Sequence, residues 1–242
     1  MELWFNQDGV SGEGMLESRI DSILIGEEEI RERVAGLGEQ ITQYYSEIGG
    51  DLIVVGLLRG CFVFMADLVR HIRYPLTVDF MAVSSYGDGT VSTGDVKIVM
   101  DLDASIEGRN VLVVEDIIDT GTTFKKILRM LNNRNPASLK VCTFLNKPSR
   151  RTHPVQIDFC GKDIPDEFVC GYGLDYAQEY RNLPYVGVLK QEDIWRVRTI
   201  SQYLRKIMTR KDVDSSGSSA RIFPEMLGCG FFLLPHIILQ QS

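Results

Sequence analysis

The 242-residue chain is poor in the residues that metal sites and disulfide frameworks need. Its three histidines, His71, His153 and His236, are far apart and form no H-x-x-x-H or mixed Cys/His cluster. That argues against a zinc site. The five cysteines, Cys61, Cys142, Cys160, Cys170 and Cys229, are odd in number and include no C-x-x-C pair. They read as reduced thiols of a cytoplasmic protein. The opening MELWFNQDGVSGEGMLES has no basic stretch followed by an apolar one, so no secretory signal is expected. The apolar run at 226–239 is too short, and too broken by glycine and proline, for a spanning helix. Positive charge is also short: 26 Lys and Arg stand against 33 Asp and Glu, a net charge of −7. No general affinity for nucleic acid is expected, although a local basic groove stays open. An anionic substrate would need local cations or backbone donors, because the overall field repels it.

What is present is ordinary for a globular protein, with 44% hydrophobic and 24% charged residues. That rules against a disordered chain, a collagen or a disulfide scaffold. The length allows one large domain or two small ones with a sizeable core. Residues 1–20 are polar and glycine-rich and are expected to fray. Residues 27–48 place Ile30, Val34, Leu37, Ile41, Tyr44 and Ile48 at steps of three or four, one face of a helix, with Gly36 and Gly38 weakening its middle. The run LIVVGLL at 52–58 fits a strand buried on both faces of a parallel sheet. A helix at 60–72 and a strand at 76–84 follow. Residues 85–95, SYGDGTVSTGD, have the composition of a mobile loop. Further strands are expected at 96–100, 110–115, 139–145, 155–159, 167–170 and 185–189, with helices at 121–133 and 191–208.

This alternation implies an α/β fold, a mostly parallel sheet flanked by helices. Ligands of such sheets bind outside the carboxyl ends of the strands. The body is expected to span 21–210. Residues 211–242 form a Ser/Gly linker and an apolar tail of unknown role, packed on the body or on a partner, with a membrane contact as the other reading.

The chemistry concentrates in NVLVVEDIIDTGTT, residues 110–123. A buried strand runs into Glu115 and Asp116, two apolar residues intervene, and Asp119-Thr120-Gly121-Thr122-Thr123 opens a helix. The first turn of a helix leaves its N–H groups without internal acceptors, and with the helix dipole these make an anion site. Gly121 lets the backbone approach a phosphate and the threonine hydroxyls add donors. Adjacent carboxylates beside such a loop are costly unless a cation or hydroxyl donors answer them, as Mg²⁺ and ribose hydroxyls would. The pattern is neither G-x-x-x-x-G-K-[ST] nor G-x-G-x-x-G.

The same segment resembles the 5-phosphoribosyl-1-diphosphate (PRPP) motif of the type I phosphoribosyltransferases, and is particularly similar to their hypoxanthine-guanine branch. The resemblance covers roughly residues 20–200. Leu58-Arg59-Gly60 is similar to the pyrophosphate loop, Ser84-Ser85-Tyr86-Gly87 to the start of the flexible lid, and Phe168-Val-Cys-Gly-Tyr-Gly-Leu-Asp175 to the purine-binding segment. Lys147 and Arg181 fall at matching places. Thr122 departs from the family, where many members carry lysine. So do the N-terminal extension and the tail.

The resemblance implies a small hood over the sheet, a flexible lid, and displacement of pyrophosphate from C1 of PRPP by a purine nitrogen. By that resemblance Asp119 would accept the N7 proton, Glu115 and Asp116 would hold the ribose hydroxyls directly or through Mg²⁺, and residues 119–123 would cradle the 5-phosphate. Lys147 would donate to the 6-oxo group, Phe168 would stack on the base, and Val169 would pair with it through its backbone. Asp175 would ligate a second Mg²⁺ and Arg181 would neutralise the leaving group. Arg59 and Gly60 would meet the pyrophosphate through a Leu58–Arg59 peptide that can be cis in the family, and Ser85 and Tyr86 would touch it from the lid. The implied substrates are PRPP and a 6-oxopurine, hypoxanthine or guanine, and the implied assembly is a homodimer or homotetramer. A xanthine-preferring sibling and a non-catalytic PRPP- or nucleotide-binding regulator are the alternatives. The acidic charge and the absence of a helix-turn-helix extension count against the regulator.

Overall fold

The computed structural model of the chain describes residues 17–85 and 96–194. The chain divides into two units, Met1–Trp195 and Arg196–Ser242, and the described residues belong to the first. In chain order the elements are strand β1 (Ile20–Ile25), helix α1 (Glu27–Ile48), β2 (Leu52–Leu58), α2 (Phe62–His71), β3 (Leu76–Ser85), β4 (Val96–Met100), β5 (Asn110–Ile118), α3 (Thr122–Asn132), β6 (Ser138–Asn146), a 3₁₀ turn (Pro148–Arg150), β7 (Phe159–Asp163), β8 (Val169–Cys170) and β9 (Val186–Leu189).

Six strands form the main sheet, in the order β4-β3-β2-β5-β6-β7. All neighbours are parallel except β4, which runs antiparallel to β3. Strand β2 throughout, and β5 over Val111–Val114, are apolar without a break because both of their faces are covered. Alternation sends Leu52, Val54, Leu112 and Val114 into one core with α1 and α2, through Ile30, Val34, Ile41, Phe64 and Leu68. The residues between them, Ile53, Val55, Val111 and Val113, enter a second core on the other face, with Phe124, Ile127 and Leu131 of α3. A smaller antiparallel sheet, β1-β9-β8, forms separately.

Connections from β2 run to one side of the sheet, through α2 to β3. Those from β5 run to the other, through α3 to β6. The reversal lies between β2 and β5, and a crevice opens there beyond their carboxyl ends. The loop at Arg59 and Gly60 and the loop at 119–121 flank this crevice.

Helix α1 has the expected bounds and is continuous through Gly36 and Gly38; several other expectations need correction. Gly38 is glycine because a Cβ there would overlap His71 of α2, so it marks where two helices touch. Tyr45, not Ile48, completes the buried face of α1, and Ile48 is exposed. The strand placed at 155–159 lies instead at 159–163. Pro154 has no donor for a ladder, and Val155 and Ile157 pack into the second core. The Asp158 N–H donates to the Val141 carbonyl at 3.0 Å and the Asp158 carboxylate accepts the Val141 N–H at 2.9 Å, and the strand register with β6 starts at Phe159. Strand β1 had no sequence signal, because three of its six residues in a row are exposed. Strand β5 is longer than expected and contains Glu115 and Asp116 within it. The lid at 86–95, the N-terminal residues 1–16, the last helix beyond residue 194 and the tail lie outside the described residues.

Candidate active site

Two loops at the crevice carry most of the expected residues. The Leu58–Arg59 peptide is cis. Beyond it, Gly60 packs directly on the Asp116 carboxylate, and a Cβ at Gly60 would overlap it. A Cβ at Gly173 would in turn overlap the Gly60 carbonyl oxygen, and Gly173 has φ +97°, open to glycine without strain. The loop after β2 therefore meets the Asp116 side chain on one side and the backbone of the 171–175 turn on the other.

After β5, Gly121 takes φ +80° and caps α3. A Cβ there would lie 2.7 Å from the His153 carbonyl oxygen. The Thr122 N–H reaches Thr120 Oγ1 at 3.4 Å, and Thr122 Oγ1 lies 3.2 Å from His153 Nδ1. Glu115, Asp119, Thr120, Gly121, Thr122 and Thr123 line one cleft of about 310 Å³ with Leu57 and Leu58 at its floor. The start of a helix, a left-handed glycine and three hydroxyls together make a cradle for a phosphate.

The acid pair is divided. Glu115 lines this cleft, while Asp116 is on the Gly60 side, where it feels the charges of Arg181 and Asp175. Burial pushes the Glu115 carboxyl well above the usual range, and the neighbouring Asp116 adds to it. Its Oε2 is buried without a hydrogen-bond partner. Burial also pushes Asp116 up, to about 6, against backbone N–H donors at Ile117 and Asp116 itself that pull it down. Two carboxyls in this condition call for a cation or for hydroxyl donors.

Among the described residues no group of three or more His, Cys, Asp or Glu stands ready to hold a metal. Mg²⁺ would need only one or two carboxylates here, since it completes its shell with water and substrate oxygens. The orphaned Glu115 oxygen is the group that such an ion, or a ribose hydroxyl, would satisfy.

Beyond β6, Lys147 is buried, and its Nζ donates to the Glu167 carbonyl at 2.6 Å. Burial lowers its pKa, with Asp119 and Asp166 opposing the effect. The residue after Glu167, Phe168, is 39% exposed and meets Tyr176 edge-on at 5.8 Å. Val169 is buried in β8. A large aromatic left this open beside a buried ammonium suits a flat ring with a carbonyl at its edge.

Arg181 is committed rather than free. Its Nη2 pairs with Asp175 Oδ1 at 2.8 Å, and its Nη1 donates to the Gly173 carbonyl at 2.8 Å. Asp175 Oδ2 accepts the Gln178 N–H at 2.8 Å. Arg181 also faces a larger cavity, about 950 Å³, between α1, α2 and residues 178–184, which none of the other expected site residues lines. Arg59 is exposed at the loop after β2. Ser85 ends β3, and Tyr86 lies outside the described residues.

Sequence reasoning did not single out Arg150 or His153. Arg150 Nε lies 3.2 Å from Asp119 Oδ1, and its Nη1 lies 3.5 Å from Asp166 Oδ2. The adjacent basic pair in Lys147-Pro-Ser-Arg-Arg151 was the available signal.

Residues 26–177 match the model of the phosphoribosyl transferase domain. The hypoxanthine phosphoribosyltransferase of Salmonella typhimurium is 56% identical over 165 residues, 68% of this chain and 93% of that protein. The hypoxanthine-guanine phosphoribosyltransferase of Bacillus subtilis is 49% identical over 176 residues, 73% of this chain and 97% of its own. The crystal structure of a Staphylococcus aureus hypoxanthine phosphoribosyltransferase superposes with a TM-score of 0.71 at 47% identity, covering 75% of this chain and 98% of that one. With the switch-point crevice, the phosphate cradle after β5 and these likenesses in agreement, the chain belongs to the phosphoribosyltransferase family.

Proposed function

We propose that the protein is a purine salvage enzyme that transfers 5-phosphoribosyl from PRPP to hypoxanthine or guanine, giving IMP or GMP and pyrophosphate. The observation that carries this reading is the crevice between β2 and β5. There the left-handed Gly121 at the start of α3 stands beside the orphaned Glu115 oxygen. A sugar phosphate suits that combination: the phosphate on the helix start, the hydroxyls on the acids.

Residues 119–123 hold the 5-phosphate through backbone N–H groups and hydroxyls. Glu115 and Asp116 take the ribose hydroxyls, with Mg²⁺ supplying positive charge against the diphosphate when bound. Asp175 stands as the second candidate for Mg²⁺. Arg59, Gly60 and Arg181 lie on the pyrophosphate side, Arg181 after leaving the carboxylate and carbonyl it now holds. Ser85 and Tyr86 belong to the lid in this reading. Asp119 accepts the purine N7 proton. Lys147 donates to O6, a position where adenine presents a donor and would be refused. Phe168 stacks on the base and Val169 pairs with it through its backbone. The transition state has oxocarbenium character, so placement and electrostatics carry the catalysis. The protein is read as a homodimer or homotetramer of the cytoplasm. Among the described residues no helix is long and apolar enough to cross a membrane.

The test is pyrophosphate release from PRPP and Mg²⁺ with hypoxanthine, guanine, xanthine and adenine in parallel. Turnover with hypoxanthine or guanine, strongly reduced in Asp119→Asn and lost on chelation, is expected. Turnover with xanthine alone overturns the substrate assignment. PRPP binding with no turnover of any base overturns the enzyme.

A further inference from the structure

Residues 147–153 grip the stretch that carries Asp119 from one side. The Lys147 N–H donates to the Ile118 carbonyl at 3.0 Å, and Arg151 Nη2 donates to the same oxygen at 3.2 Å. The Thr120 carbonyl accepts the N–H groups of Thr152 and His153, at 3.0 and 3.1 Å, and the Thr152 hydroxyl at 3.2 Å. The backbone on either side of Asp119 is thereby fixed by a single loop. Arg150, in the middle of that loop, takes the side chain: its Nε is 3.2 Å from Asp119 Oδ1. No hydrogen bond to Asp119 Oδ2 is present among the described residues. The same guanidinium reaches across to Asp166 Oδ2 at 3.5 Å, two residues before Phe168.

Stability does not account for this arrangement. The Arg150 and Asp119 side chains are 48% and 40% exposed, and ion pairs that open to water add little to stability. Orientation does. A carboxylate with one oxygen on the guanidinium Nε–H, while the same planar group is anchored on Asp166, is restrained in rotation and has its second oxygen left over for a substrate.

We propose that Arg150 is a positioning residue for phosphoribosyl transfer: it holds Asp119 Oδ1, aims Oδ2 at the base, and through Asp166 ties that aim to the segment carrying Glu167 and Phe168. The proposal rests on the reading of Asp119 as acceptor of the N7 proton. That proton passes to Oδ2, and no bond changes at Arg150. It differs from the roles of Lys147 and Arg181, which face the base carbonyl and the leaving group.

The experiment compares Arg150→Ala, Arg150→Lys and Asp166→Asn in the full chain, each also combined with Asp119→Asn, using hypoxanthine, PRPP and Mg²⁺. Arg150→Ala is expected to lower kcat roughly 10- to 100-fold, with the melting temperature unchanged and the KM for PRPP altered by less than about twofold. Arg150→Lys recovers part of the loss, because an ammonium can still hold one carboxylate but lacks the fork. Asp166→Asn loses less than Arg150→Ala. In the Asp119→Asn background Arg150→Ala costs nothing further, since no carboxylate is left to aim. The same fold-loss in both backgrounds, an unchanged kcat, or a loss confined to the KM for PRPP overturns the proposal. If Asp119→Asn itself turns over like the wild type, the assignment of the base fails and Arg150 falls with it. If Asp119→Asn is impaired and Arg150→Ala is not, only the positioning role fails.

Discussion

Gly60 and Asp116 touch: any side chain at residue 60 would occupy the space of the Asp116 carboxylate. One loop follows β2 and the other residue lies in β5, so the contact bridges the crevice where the sheet reverses direction. The glycine is thus a requirement of packing against an acid, and the acid's place depends on it in return.

Gly60→Ala is therefore expected to displace Asp116 more than to unfold the protein. Stability should fall by about 1 kcal/mol, the low end of overpacking costs, because a carboxyl can shift. Catalytic efficiency on PRPP should fall roughly 10- to 100-fold. Adding Asp116→Ala should restore the urea midpoint without restoring turnover. A Gly60→Ala protein with wild-type kinetics would show that the contact is unimportant.

Asp116 also sets a pH dependence. Its carboxyl is raised from an ordinary 3.8 to about 6, burial being the first cause. Between those values the folded state binds a proton that the unfolded state has lost. The protonated group's contribution is complete below the lower value and disappears as pH rises through about 6. Over the whole window the difference amounts to about 3 kcal/mol. Asp116→Asn should be more stable than the wild type at pH 7 and no different at pH 4. Urea melts of both proteins across that range, without Mg²⁺ or substrate, measure it. Parallel curves would refute the assignment.

Lys147→Met keeps the buried stem and removes the donor to the Glu167 carbonyl. The KM for hypoxanthine and guanine should rise roughly tenfold or more, as for loss of a charged hydrogen bond. The KM for PRPP should stay put, and discrimination against adenine should weaken. Competition assays with both bases separate these effects from a general loss of activity.

Gly121→Ala would put a Cβ 2.7 Å from the His153 carbonyl oxygen, at φ +80°. The backbone penalty alone is about 1 kcal/mol or more. The cradle should open, lowering both the melting temperature and PRPP affinity, the latter roughly tenfold per 1.4 kcal/mol of distortion. Calorimetric titration with PRPP and Mg²⁺ reads it directly, and unchanged affinity would remove Gly121 from the phosphate site.

Much of the site was legible in the chain because it is local. Residues 119–123 are consecutive, and a helix start after a buried strand offers its N–H groups wherever the rest of the protein lies. Glu115 and Asp116 were readable as candidates for the same reason. Their separation was not. Strand β5 continues to Ile118, and which acid meets Gly60 and which meets the threonines depends on elements distant in the chain, the loop after β2 and the 171–181 segment. Arg150 shows the limit more plainly. A lysine–arginine-rich turn is usually a solvated surface, and only the seating of residues 147–153 on the Ile118 and Thr120 carbonyls makes it part of the site.

The sequence by itself determined the α/β alternation, the doubly buried strands at β2 and β5, and the Thr-Gly-Thr turn proposed to take the phosphate. These follow from hydrophobic period, from glycine's access to positive φ and from the open first turn of a helix, all short-range properties. Tertiary structure alone decided the strand order that places the crevice between β2 and β5, and the pairing of β1 with β9. It also decided the burial that leaves a Glu115 oxygen without a partner, and the engagement of Arg181 by Asp175 and of Asp119 by Arg150. Those depend on which distant side chains and carbonyls arrive at one place, and the cost of burying a charge exists only once the surrounding atoms are there to exclude water.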